Sequence, residues 1–211
     1  MTRREQSAAE LEAQGSIFSA STDTEVIVHL IAKSRAGGAP GTTEHFLAAV
    51  REALGRVQGA YSVLFLTPKA LVGARDPMGF RPLVLGKLKG HLVRAAETTA
   101  LDLIEAEYVR EVEPGELVVV DAQGLRSERL FPGQPRPARL GRCVFEHIYF
   151  ARPDSVLFGK SVYDARHALG RRLAVEHPAR ADLVTPVPDS GVPAAIGYAE
   201  ESGIPFAMGL V

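Results

Sequence analysis

A chain of 211 residues with 46% hydrophobic content is long enough for one large domain or two small ones, and its composition is that of a globular rather than a disordered protein. Lys and Arg total 24 against 25 Asp and Glu, so the net charge of -1 gives no general attraction to nucleic acid or to an anionic membrane. No apolar stretch approaches the roughly 20 residues that cross a bilayer, the opening segment lacks the apolar core of a signal peptide, and a cytoplasmic location is expected.

In chain order, "TRREQSAAELEAQ" reads as a helix. "TEVIVHLIAK", residues 24–33, puts Val26, Ile27, Leu30 and Ile31 on one helical face, with Asp23 of "STDTEV" just ahead as an N-cap neighbour. "AGGAPGTT" is a loop, and "EHFLAAVREALGRV" is an amphipathic helix with Phe46, Leu47, Val50 and Leu54 inward. From Ala60 the segments become short and strand-like: "YSVLFLT", "ALVGARD", "PLVLGKL", "HLVRAAET" and "GELVVVDAQG". They predict a mostly antiparallel sheet with the preceding helices layered on it, an α+β domain. "SERLFPGQPRPARLGR" is the linker candidate, which divides the chain into residues 1–140 and 141–211.

Beyond the linker, "CVFEHIYF" is apolar and aromatic, and "SVYDARHALGRRLAVEH" is a helix with Val162, Ala165, Leu169 and Leu173 near one face. "DLVTPV" reads as a short buried strand, followed by the turn Pro188-Asp189-Ser190-Gly191 and an Ala-rich helix. Strand, turn and helix open an α/β unit with a parallel sheet, which is expected to be cut short at Val211, with an open sheet edge and poor solubility. Small polar residues between such a strand and helix present backbone N–H groups and the helix dipole to an anion, while Ser and Asp can serve a hydrated divalent cation. Phosphate or pyrophosphate is the expected guest. The same four residues are also ordinary turn and cap vocabulary. Cys143, the single cysteine, forms no intramolecular disulfide and alone defines no metal site.

Six segments in this order, "STDTEV", "GAYSVLFLT", "RDPMGFRPLVLGK", "YVREVEPGELVVVD", "CVFEHIYFARPDS" and "VPDSGVPAAIGYAEESGIP", resemble the amidophosphoribosyltransferase family. That family joins an N-terminal-nucleophile glutaminase domain to a type I phosphoribosyltransferase domain. The resemblance implies a partial α+β glutaminase-type layered domain over 1–140 and the beginning of an α/β phosphoribosyltransferase domain over 141–211. It implies glutamine and phosphoribosyl pyrophosphate as substrates, purine nucleotides as inhibitors, magnesium as cofactor, and a homo-oligomer when full length.

Residue by residue, Asp23 matches the carboxylate that binds the amino group of glutamine; the alternative is a first-turn helix Asp. Asp189, Ser190 and Gly191 match the pyrophosphate loop, with the Ser190 hydroxyl on magnesium. Arg166 matches a position associated with the phosphate of a regulatory nucleotide, against the alternative of a solvated helix Arg. Tyr149, Arg152, Asp154 and Ser155 lie where the family's two domains meet, with aromatic core packing as the other reading of Tyr149. Asp76, Arg81 and Pro82 read as structural, an Arg–Asp pair holding a turn. Cys143 matches a ligand of a [4Fe-4S] cluster in one branch of the family, whereas other branches carry a cysteine there and no cluster; a small core hydrophobe is its other reading.

The family's catalytic nucleophile is an N-terminal cysteine. Met1 and Thr2 stand at this start and Thr2 is not taken as its substitute, so no catalytic residue is assigned. With the ribose 5-phosphate loop also unmatched, the expectation is an internal fragment, inactive alone. The alternative is a catalytically dead protein that binds a nucleotide or pairs with an intact subunit. An unrelated phosphoribosyltransferase would explain only the last third.

Overall fold

The computed structural model describes residues 3–135 and 137–210, so Thr2 and Val211 lie outside the described residues. The elements run α1 (Arg3–Ala13), α2 (Asp23–Ala32), α3 (Thr43–Arg56), β1 (Ser62–Leu66), β2 (Ala70–Arg75), β3 (Val84–Leu88), β4 (His91–Ala95) and α4 (Thr98–Asp102). They continue with β5 (Glu107–Glu111), β6 (Glu116–Asp121), β7 (Gly124–Arg129), a π-helical turn at Glu146–Phe150, β8 (Val156–Leu157), β9 (Lys160–Ser161), α5 (Val162–Glu176) and α6 (Val192–Ser202). Two compact units result: Met1–Pro77 with Gly115–Arg136, and Met78–Pro114 with Pro137–Val211. The compact division therefore differs from one placed at the Pro- and Arg-rich linker, because residues 78–114 cluster with the C-terminal part.

The first unit layers helices on an antiparallel sheet of order β1-β2-β6-β7. Register sets Val72 opposite Val119 and Ala74 opposite Leu117, so one sheet face carries an unbroken apolar stripe. Ile27 of α2 and Leu47, Val50 and Leu54 of α3 close over that stripe. Each such Leu, fully withdrawn from water, contributes about 1.5–3 kcal/mol. Helix α3 starts at Thr42, whose Oγ1 accepts from the His45 amide at 3.2 Å. Helix α1 stops at Gly15, whose φ of 83° lets the Ser16 amide turn back to the Leu11 carbonyl at 2.9 Å.

In the second unit an antiparallel sheet of order β4-β3-β5 packs on α4 through Val84, Leu101 and Ala106. A separate cluster of Ala151, Leu157 and Val162 anchors the β8–β9 hairpin to the start of α5. Helices α5 and α6 touch backbone to backbone. A Cβ on Gly170 would lie 1.8 Å from the Ala194 carbonyl oxygen, and one on Gly197 would lie 2.2 Å from that of His167. The seam is flanked by His167–Glu200 at 2.9 Å and Arg171–Glu201 at 2.7 Å.

Two expectations are corrected in this unit. The buried stripe of α5 is Val162, Arg166, Gly170 and Ala174, whereas Leu169 and Leu173 are about half exposed, because close helix contact selects the glycine face over the leucine face. The expected strand "DLVTPV" reduces to one parallel bridge, Val184 with Phe206, closed by the Val184 amide to the Pro205 carbonyl and the Ala207 amide to the Val184 carbonyl. Among the described residues no helix is long and apolar enough to cross a membrane.

Candidate functional site

In the first unit the loop over residues 14–22 delivers the chain to α2. Asp23 is the first residue of that helix and is exposed, while Thr22 is the N-cap and makes no side-chain cap bond. Glu25, which sequence reasoning passed over, is the residue that organises this entry. Its Oε1 accepts from the Ser19 amide at 2.7 Å and its Oε2 from the Ala20 amide at 2.8 Å. These two amide bonds hold the Glu25 carboxyl below the usual carboxylate range. The signal was the acidic residue two places after Asp23, in the first turn where the helix dipole favours it.

In the second unit the turn after Val187 presents Asp189 exposed and Ser190 half-buried, with the Pro188–Asp189 peptide cis. The Gly191 amide donates to the Val187 carbonyl at 3.3 Å and the Val192 amide to the Asp189 carbonyl at 3.2 Å. Among the described residues, the Asp189 and Ser190 amides donate to no backbone carbonyl. Gly191 is the N-cap of α6, and a Cβ there would stand 2.7 Å from the Val187 oxygen, so the tight turn excludes a side chain. The result is a short loop with open amides at the positive end of an 11-residue helix.

The remaining residues of the second unit form a polar network. Arg166 is not a solvated helix residue: it is 2% exposed, its Nε donating to the His147 carbonyl at 2.7 Å and its Nη2 to the Ala151 carbonyl at 2.8 Å. Burial lowers its pKa from the ordinary arginine value. Ser155 is buried, its hydroxyl donating to Glu97 Oε2 at 2.9 Å and sharing a 2.6 Å bond with Thr99 Oγ1. Glu97 Oε2 also accepts from the Arg152 amide at 3.0 Å, and the Arg152 guanidinium holds Asp154 through two bonds of 3.1 Å. Arg152, Asp154, Ser155 and Arg166 thus all brace residues 147–155. Tyr149, by contrast, is 62% exposed, which corrects its reading as core.

Cys143 is half-exposed rather than a buried hydrophobe, and its amide donates to the Phe80 carbonyl. Among the described residues no group of three His, Cys, Asp or Glu could hold a metal ion. Arg81 makes an ion pair with the buried Glu146 at 2.5 Å and lies over the Phe150 ring. Burial raises the Glu146 pKa, against the pull of Arg81. The folded state then holds this proton more tightly than the unfolded chain, so stability falls as pH rises from the ordinary carboxylate value through the raised one. Urea midpoints measured across that window are expected to decline in the parent and to flatten in Glu146→Gln; an equal decline in both would assign it to other groups.

A family model described as glutamine amidotransferase domain matches residues 2–103. The chain is 52% identical to amidophosphoribosyltransferase 1, chloroplastic, of Arabidopsis thaliana over 205 residues, 96% of this chain and 34% of that protein. The belonging is settled by that identity together with the solved glutamine phosphoribosylpyrophosphate amidotransferase of B. subtilis, complexed with ADP and GMP, which matches 98% of this chain with a TM-score of 0.85 and 43% identity. The chain belongs to the amidophosphoribosyltransferase family. A Rhizobium etli amidophosphoribosyltransferase is 46% identical over 202 residues, covering 94% of this chain and 39% of that protein. The B. subtilis match covers 43% of the solved chain, and this chain spans about a third of the length of its plant relatives. The α+β glutaminase-type unit followed by the opening of an α/β unit is the fold shared with that solved amidotransferase.

Proposed function

We propose that this chain forms part of a glutamine-dependent phosphoribosyl pyrophosphate amidotransferase, which makes 5-phosphoribosylamine in the first committed step of purine synthesis. The observation that carries this reading is identity of about half the residues along 96% of the chain, a span that includes both the Asp23 entry and the turn before α6. In the family's terms residues 1–140 belong to the glutaminase half and 141–211 to the phosphoribosyltransferase half. Asp23 offers its exposed carboxylate to the ammonium of glutamine. Asp189, Ser190 and Gly191 receive the pyrophosphate of the ribosyl donor, where open amides and the α6 dipole stabilise negative charge as pyrophosphate departs.

The residues suit magnesium that arrives with pyrophosphate: the Ser190 hydroxyl and Asp189 carboxylate can bind its hydration shell, while phosphate oxygens supply the inner ligands. They do not suit a [4Fe-4S] cluster within this chain, since Cys143 is its one cysteine and such a cluster takes several thiolates. Arg166 bears on a regulatory nucleotide through Nη1, which is buried without a hydrogen-bond partner among the described residues. Residues 149–155 carry communication between the family's two domains. For the whole protein we assign a cytoplasmic homo-oligomer.

Titration calorimetry of the 211-residue chain with magnesium pyrophosphate tests the turn. The parent is expected to bind, Ser190→Ala to weaken binding about tenfold, the worth of one charge-assisted hydrogen bond, and Gly191→Val to abolish it. A parent chain that ignores magnesium pyrophosphate would remove this site from the reading.

A further inference from the structure

We propose that Glu25 is a positioning residue for Asp23, holding the loop over residues 14–22 so that the Asp23 carboxylate stands in one place; this rests on the reading of Asp23 as the ammonium-binding group. Glu25 and His29 of α2 and Lys33, the C-cap that ends it, stand four positions apart along one side of the helix, and each grips the loop by a different force. Glu25 accepts the Ser19 and Ala20 amides at 2.7 and 2.8 Å. The His29 ring meets Phe18 edge-on at 4.5 Å between centroids, and its Nε2 is 3.9 Å from Glu25 Oε1. Lys33 donates from Nζ to the Gln14 carbonyl at 2.7 Å.

The adjoining face of α2 is committed elsewhere. Val26 and Leu30 are buried against Leu11 and Ala53, with Phe18 packed on the same cluster. Phe18 therefore ties the loop to the core, while the Ser19 and Ala20 amides tie it to the helix entrance. Only Ser21 and Thr22 separate those amides from Asp23, so any slack in the loop is transmitted to the residue that begins the helix. A backbone N–H pair held by one carboxylate removes that slack at little entropic cost, because both acceptors belong to a single side chain.

The arrangement also divides the two first-turn carboxylates by task. Glu25 is engaged by two backbone amides. Asp23, two residues earlier at the start of the helix, is exposed.

The test is L-glutamine titration of the 211-residue chain followed by nitrogen-15 NMR, with amide exchange at Ser19 and Ala20 and a thermal midpoint for each variant. Glu25→Ala is expected to weaken glutamine about tenfold or more, to abolish slow exchange at both amides, and to move the midpoint by less than about 3 °C. Glu25→Gln, whose amide oxygen still accepts, recovers part of the affinity. Asp23→Asn loses binding and leaves both amides protected. Equal affinity in Glu25→Ala and the parent overturns the positioning role alone, and so does a loss of affinity matched by a collapsed midpoint. A parent that binds no glutamine, with Ser19 and Ala20 still protected, overturns the reading of Asp23 and the positioning role with it.

Discussion

Replacing Gly170 by alanine is expected to destabilise the second unit by about 3 kcal/mol, at the upper end of overpacking costs. The sign is the informative part. On an exposed helix face a Gly→Ala change stabilises by about 1 kcal/mol, because alanine restricts the unfolded chain and favours helix. Here the new Cβ would fall 1.8 Å from the Ala194 carbonyl oxygen, a backbone atom that cannot swing aside. Helices α5 and α6 must separate along their whole seam, weakening the His167–Glu200 and Arg171–Glu201 pairs as they part. Gly197→Ala, with a 2.2 Å approach to the His167 oxygen, is expected to act the same way. The two costs should not add, since the first substitution already opens the seam. Urea denaturation of the single and double variants measures this; a stabilised Gly170→Ala would mean that the helices do not cross so closely.

Arg166→Met is expected to cost about 2–4 kcal/mol and to lower the thermal midpoint by about 5–15 °C. Methionine retains much of the volume and removes a buried charge, which by itself is favourable. Against that, the carbonyls of His147 and Ala151 lose their guanidinium donors, and the π-helical turn loses the side chain that ties it to α5. Arg166→Lys is expected to rescue little, because one ammonium cannot reproduce a planar fork across two carbonyls. If Arg166→Met melts with the parent, the guanidinium is dispensable to the fold, and only a ligand-directed role would remain for it.

Strong periodicity made α2, α3 and the apolar strands β1, β2, β3, β4 and β6 legible from residue pattern alone. Of the strands in the two larger sheets, those that escaped, "EYVRE" in β5 and "GLRSER" in β7, are both edge strands. Charge is what an edge needs to avoid pairing with another chain, and it is also what hides a strand from a hydrophobic reading. On α5 the reading failed for the opposite reason. Leu169 and Leu173 are the apolar letters, but the buried positions are a glycine that permits contact and an arginine that satisfies carbonyls, neither of which registers as hydrophobic.

The candidate site divides in the same way. Asp23 and the turn at 189–191 were singled out by the family resemblance, because residue pattern alone leaves them as ordinary cap and turn residues. Glu97 and Thr99 were not, since their roles depend on a hydroxyl far along the chain, that of Ser155, and Glu25 was not, since its role depends on how the loop before α2 folds back.

The split of the first unit around an inserted segment has a consequence for the order in which this protein can be made. Strand β2 finds its inner neighbour only when β6 has been synthesised, since Ala74 pairs with Leu117 and Ala70 with Asp121. Residues 78–114, which belong to the other unit, leave the ribosome in between. Until then β1 and β2 form a lone hairpin, and a two-stranded hairpin is marginal in water. The nascent chain thus carries the unpaired inner edge of β2 through the translation of an entire foreign segment, and a pause there is where a chaperone would have most to hold.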